Sequence, residues 1–285
     1  MEKTTQNSYH THISSKHNAL ELKLDEVWRY RDLILLFTKR NFVVRYKQTI
    51  LGPAWILLNP LCSSIIYAIV FGGIAKIGTE GIPTILFYLC SNAIWLFFAT
   101  CVTTNARTFT ENANVFGKVY FPRLTMPISN MLSAGIHFCV QMLMVMGFLG
   151  FYLVQGAVHP NWAAWLLIPV VLLHLGMLGL GCGIIVSSLT TKYRDLAILV
   201  DFAMQLWMYA TPVVYPLSTL EPGWIRTILL INPVTAPVEF FRYAILGQGS
   251  ILPGVLVLSW AITIGVMLIG IVIFNKVERT FMDTV

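Results

Sequence analysis

Six apolar blocks dominate this 285-residue chain, each about as long as a helix must be to cross a hydrocarbon core of ~30 Å. They fall at residues 51–75, 84–104, 127–154, 164–187, 197–215 and 253–274. The blocks are continuous and do not alternate in segments of about ten residues, which disfavours a β-barrel. Charged residues make up 11% of the chain, where a soluble domain carries about 25%. The expected fold class is an all-α polytopic membrane protein with six transmembrane helices.

The chain's 19 Lys and Arg residues are spread unevenly. With a cytoplasmic N-terminus, sixteen fall on inner segments and only Lys76, Arg226 and Arg242 on outer ones. That bias predicts both termini on the cytoplasmic side. It also accounts for the net charge of +6, so nucleic acid is not an expected partner. The first twenty residues are polar and no apolar region with a cleavage site follows, so no cleaved signal peptide is expected. Residues 1–24 read as a flexible tail. The five cysteines lie in or at the ends of apolar blocks without metal-ligand spacing, as thiols packing like small hydrophobes do.

Residues 25–50 are basic and aromatic, and they run straight into the first block. Val27, Tyr30, Ile34 and Phe37 share a face at helical spacing, opposite Asp25, Arg29 and Asp32, which predicts an amphipathic interface helix. Two readings stand for its cations. They are either a membrane anchor on anionic lipid, at about 1 kcal/mol per basic residue, or a receiving site for an anionic lipid-linked headgroup at Arg40, Arg45, Tyr46 and Lys47. Between the fifth and sixth blocks, residues 224–231 and 238–246 are apolar runs too short to span, separated by Asn232, Pro233 and Pro237. Short re-entrant helices fit them, on condition that protein or a water-filled cavity covers the irregular backbone. The inner loop 105–126 is long enough for a short helix.

His137, His174 and Asp201 lie in or near the blocks, few and scattered, and read as structural groups; Lys192 or Arg194 is at hand to satisfy Asp201. Gly179 and Gly183 form a GxxxG that permits close approach of another helix. Tyr88, Trp95, Phe97, Phe98, Trp207, Tyr209, Tyr215 and Trp224 serve either as interfacial belts or as stacking surfaces for sugar rings. No phosphate loop, HExxH or GxSxG occurs, so an ATP-driven process needs a separate nucleotide-binding chain.

Five ordered motifs carry a family resemblance: RYKQTILGPAWILLNPL at 45–61, FPRLTMP at 121–127, KYRDL at 192–196, QLWMYATPVVYP at 205–216 and INPVTAPVEFFRYAILG at 231–247. From about residue 28 onward the chain resembles ABC-2-type permeases of bacterial polysaccharide and O-antigen exporters. The resemblance implies a homodimer bound to two ATP-binding cassette ATPase subunits, which carry ATP and Mg2+, with no catalytic, cofactor or metal site on this chain. It implies a lipid-linked polysaccharide as substrate, membrane lipids as surroundings, and the bacterial plasma (inner) membrane as location. It divides the chain into a tail (1–24), interface and gate helices (25–50) and an ABC-2-type transmembrane domain (51–285).

By the same resemblance, Arg40, Arg45, Tyr46 and Lys47 lie at the headgroup gate, and Arg107, Glu111 and Lys118 couple to the ATPase. Trp55, Asn59, Tyr67, Trp207, Tyr209 and Tyr215 are candidates to line the channel. Trp224, Asn232, Glu239 and Arg242 belong to a re-entrant cap. The rivals are an ABC-2 exporter of teichoic acid, capsule or a small lipid or drug, an intramembrane glycosyl- or acyltransferase, and a secondary transporter. The transferase predicts an acidic or histidine cluster at one depth, and the secondary transporter internal repeats; the sequence displays neither.

Overall fold

A computed structural model describes residues 24–281, apart from 117, 120 and 194. The tail expected over 1–24 therefore lies almost wholly outside the described residues, as does Arg194.

Every regular element among the described residues is helical. Helices α1 (Leu24–Arg29) and α2 (Arg31–Tyr46) precede the first crossing. That crossing is composite: a 3-10 turn at Gly52–Ala54, helix α3 (Trp55–Tyr67) and a π-helical end at Ala68–Ile74. Then come α4 (Thr84–Ala106), α5 (Thr108–Phe116), α6 (Thr125–Val154), α7 (Trp162–Trp165) and α8 (Ile168–Thr190). Helices α9 (Leu196–Tyr209), α10 (Trp224–Ile231), α11 (Thr235–Leu246) and α12 (Pro253–Phe281) complete the chain.

Helix α4 is the hub. It is apolar on all sides and buried over most of its length, as a helix surrounded by protein must be. It packs on α8, α6, α3, α9 and α11. The GxxxG lets α8 press against it. A Cβ on Gly179 would stand 2.6 Å from Cys101 Cβ, and one on Gly183 would stand 2.4 Å from Asn105 Cβ. The close partner that this motif announces is thus α4 of the same chain.

Among the described residues, five helices are long and apolar enough to cross a membrane: Gly52–Ile74, Thr84–Ala106, Thr125–Val154, Ile168–Thr190 and Pro253–Val277. The fifth predicted block, 197–215, departs from expectation. Its helix α9 has 14 residues, about 21 Å of rise, and falls short of the hydrocarbon thickness. Pro212 is the physical reason, because the residue before a proline is pushed out of the helical region and the proline offers no N–H. Helices α10 and α11, both too short to span alone, meet at an 85° bend and raise the number of possible crossings to six.

The loops sort to two ends. Phe109 N–H donates to Ser187 Oγ (3.2 Å) and its ring stacks on Phe274 (4.9 Å), so the loop 105–126 joins the far ends of α8 and α12. At the opposite end Ser218 donates to Glu80, and Asn161 N–H donates to the Ala244 carbonyl (3.1 Å).

His174 is structural. Its Nε2 lies 2.9 Å from Thr263 Oγ1 and 3.1 Å from Ser259 Oγ, and its ring stacks on Trp260 at 4.2 Å. The Ser259 hydroxyl proton goes to the Pro233 carbonyl, and that of Thr263 to the Ser259 carbonyl. Both oxygens are therefore acceptors toward the ring, and Nε2 carries the hydrogen. His174→Phe keeps the stack and removes this shared bond. The expected cost is about 1 kcal/mol, read as a small drop in the melting temperature of the detergent-solubilised protein.

Candidate functional site

Val27 on α1, Tyr30 between the two helices, and Ile34 and Phe37 on α2 are turned onto protein, with Val27, Ile34 and Phe37 buried. Phe37 meets Phe121 at 5.6 Å, Phe121 meets Phe116 at 5.7 Å, and Phe116 meets Phe109 at 5.9 Å. This aromatic chain fixes α2 and α5 to one end of the bundle. The other side of the segment leaves Trp28, Leu35, Leu36 and Val43 exposed beside Lys39.

Packing α2 against α6 leaves a cavity of about 560 Å³ between α2, α4, α5 and α6, within the usual range for small-molecule sites. Arg40, Asn41, Val44 and Arg45 line it from α2, and Thr100 and Thr104 from α4. Glu111, Asn112 and Val115 line it from α5, and Asn130, Ser133, Ala134 and His137 from α6. Arg40 Nη2 donates to Asn41 Oδ1 (3.2 Å) and Asn112 Oδ1 (3.3 Å), and its guanidinium sits 4.9 Å over the Phe37 ring. Asn41 Nδ2 donates to Asn130 Oδ1 (2.9 Å), whose Nδ2 donates to Asn105 Oδ1 (3.2 Å). The Tyr46 hydroxyl lies 3.3 Å from His137 Nε2. Burial pushes the Tyr46 phenol above its ordinary pKa, the neighbouring Arg45 pulling the other way, so it stays a neutral donor.

Two guanidinium groups, one carboxylate and several amides thus face one space. Such a wall suits an anion. Guanidinium forks match phosphate oxygens, and amide N–H groups take the remaining lone pairs.

The sequence-derived residues are distributed as follows. Arg40, Arg45 and Glu111 line the cavity, Tyr46 borders it at His137, and Lys47 and Lys118 are exposed. Arg107 points elsewhere and pairs with Asp201 on α9. Arg107 is therefore a partner of Asp201 that the sequence reading did not name, and Arg194 lies outside the described residues. Trp55, Asn59 and Tyr209 are exposed on the first and fifth apolar segments. Tyr67 is engaged inside, its hydroxyl 3.4 Å from Met208 Sδ; Tyr215 OH donates to the Tyr209 carbonyl (2.9 Å). Trp207 Nε1 donates to Asn232 Oδ1 (3.1 Å), while Asn232 Nδ2 donates to the Ala210 carbonyl (2.7 Å) and to Thr211 Oγ1 (2.9 Å). Trp224 is exposed.

Glu239 and Arg242 form a fully buried ion pair on α11. Arg242 Nη1 donates to the carbonyls of Pro212 (2.9 Å) and Tyr215 (3.5 Å), and its guanidinium stacks 4.8 Å over Phe87. Glu239 accepts from the N–H groups of Leu217 (3.3 Å) and Ser250 (3.1 Å). The pair supplies hydrogen bonds to irregular backbone that would otherwise be buried without partners.

Asn41, Asn112, Asn130 and His137 are among the cavity residues that the sequence reading did not assign to a site. A signal existed in α6, where Asn130, Ser133 and His137 recur every three or four residues in an otherwise apolar helix.

A helical bundle with span-length apolar helices and a polar-lined cavity at one end defines a multi-pass membrane protein. The family model for ABC-2 type transporters matches residues 32–246, and the chain belongs to that family. It is accordingly a transport subunit. It is 28% identical to two O-antigen export system permease proteins RfbA of Klebsiella pneumoniae, over 257 and 253 residues. Those alignments cover 88% of this chain and 94% of each relative. A third relative, the O-antigen export system permease protein RfbA of Myxococcus xanthus, is 28% identical over 221 residues, 76% of this chain and 81% of that one.

Proposed function

We propose that this chain is the membrane-spanning subunit of an ATP-driven exporter that moves a lipid-linked polysaccharide of O-antigen type across the bacterial plasma membrane. The printed function of its relatives supports the substrate, and the family supports an ATPase partner. The observation that carries the reading is the cavity, where Arg40 and Arg45 converge with Asn41, Asn112 and Asn130 beside α2 and α5. A diphosphate headgroup arriving along the cytoplasmic face finds cations and N–H donors there.

Residues 25–50 act as interface and gate helices, and residues 51–285 as the transmembrane domain. Two copies of the chain enclose the glycan path, with the exposed sides of α3 and α9 toward it. The bent pair α10–α11 is a re-entrant cap on the outer side. The exposed face of α5, with Glu111, meets the ATPase, which binds ATP and Mg2+.

Arg40→Ala combined with Arg45→Ala tests this. Each guanidinium–phosphate bond is worth about 1.5–3 kcal/mol, so glycan export should fall at least about tenfold with normal subunit and complex levels. Arg→Lys at the same positions should recover part of it. Surface display of the glycan, measured by immunoblot against membrane levels of the subunit, decides. Unchanged display in the double alanine variant would remove the cavity from the substrate path.

A further inference from the structure

Helix α9 is fastened differently at its two ends. In its C-terminal half Met204 and Met208 are buried, and Asn232 ties Trp207 there and Ala210 and Thr211 just beyond its end. In its N-terminal half, residues 196–203, no side chain is buried, and Ile198, Leu199 and Phe202 are exposed. This loosely packed half carries Asp201, whose carboxylate accepts from Arg107.

The position of Arg107 gives that bond its meaning. Arg107 is the single residue between α4 and α5, and its carbonyl accepts the Glu111 N–H in the first turn of α5. A displacement of α5 reaches the Arg107 backbone with no hinge between them. Helix α5 itself rests on α8 and α12 through Phe109 and is bonded to α2 through Asn112 and Arg40.

Exposure separates the Arg107–Asp201 pair from Glu239–Arg242. The side chains of Arg107 and Asp201 are 39% and 44% exposed. Neither charge is sealed within the fold, so the bond is weaker and more readily remade than a buried one. Glu239 and Arg242 are sealed from water, and their separation would strand a charge. The first arrangement suits a contact that opens and closes, the second a permanent brace.

We propose that Arg107–Asp201 is a latch that positions the N-terminal half of α9 according to the state of α5. At rest the pair holds this half of α9 against the bundle. When the ATPase displaces α5, Arg107 moves with it, Asp201 is released, and the exposed face of α9 swings. Arg107 and Asp201 are positioning residues and touch no substrate. The inference rests on the proposed function only in taking α5 as the ATPase contact.

The test uses the full complex in membranes, with the five native cysteines replaced and Arg107→Cys and Asp201→Cys introduced. A short, reducible bifunctional thiol reagent is applied with and without ATP plus vanadate. Cross-linking should be efficient at rest and fall about tenfold in the trapped state, a coupling of ordinary size. Linked complex should export no glycan until the linker is reduced. Equal cross-linking in both states, or undiminished export by linked complex, would overturn the latch.

Should the cysteine pair fail to accumulate, the swap Arg107→Asp with Asp201→Arg carries the test. The swap should restore export that Asp201→Arg alone lowers about tenfold, and export equal in the wild type and Asp201→Arg would overturn the latch. If the complex moves no lipid-linked glycan and yet loses the cross-link with ATP, the substrate reading fails and the latch stands.

Discussion

Arg242→Ala is expected to destabilise the subunit by about 3–5 kcal/mol, because it leaves the Glu239 carboxylate buried without its counter-ion. A marginally stable protein has only about 5–15 kcal/mol in hand, so little of this variant should accumulate in the membrane. The carbonyls of Pro212 and Tyr215 lose their donor at the same time, and Phe87 loses the guanidinium over its ring. The segment between α9 and α10 then keeps its bonds to Asn232 and Glu80 but loses the brace at Pro212 and Tyr215.

Controls separate charge from hydrogen bonding. Arg242→Lys keeps the cation but cannot fork between Glu239 and the Pro212 carbonyl, so it should fall between wild type and alanine. Glu239→Gln with Arg242→Met removes both charges and should be less harmful than Arg242→Ala alone, since no charge is stranded. The measurements are subunit yield and melting temperature in detergent. Wild-type yield and melting for Arg242→Ala would show that the pair braces nothing.

Block length made the helical architecture legible, because the thickness of a bilayer constrains it directly. The breakers Asn232 and Pro233 marked the 85° bend between α10 and α11 for the same reason. The length of α9 was misjudged because residues 210–215 are apolar, and hydropathy does not register what Pro212 does to the backbone. The cavity was half legible. Arg40 and Arg45 stand out as cations before an apolar block, whereas Asn41, Asn112 and Asn130 are unremarkable until folding brings together segments some seventy to ninety residues apart. Arg107 read as an ATPase-coupling residue and not as a partner of Asp201, because the two are 94 residues apart and Asp201 had nearer cations in sequence. Pairing across a fold is decided by helix packing, which local spacing does not encode.

Gly183→Ala is the second large effect, and it acts on stability and on the cavity together. The added methyl would stand 2.4 Å from Asn105 Cβ and 3.0 Å from the Val102 carbonyl oxygen. Neither neighbour can rotate away, because both atoms are fixed to the α4 backbone, so α8 must move off α4. Overpacking of this kind costs about 1–3 kcal/mol, against which the better helix propensity of Ala returns about 1. Asn105 also accepts from Asn130, which accepts from Asn41 on α2. A shifted α4–α8 contact should therefore loosen the amide chain of the cavity and lower export beyond what the loss of protein explains. Gly147→Ala on α6 is the control, because its added methyl meets nothing within 4 Å and should leave melting temperature and export unchanged or slightly improved. Equal behaviour of the two alanine variants would show that close approach of α8 to α4 is not what the glycine provides.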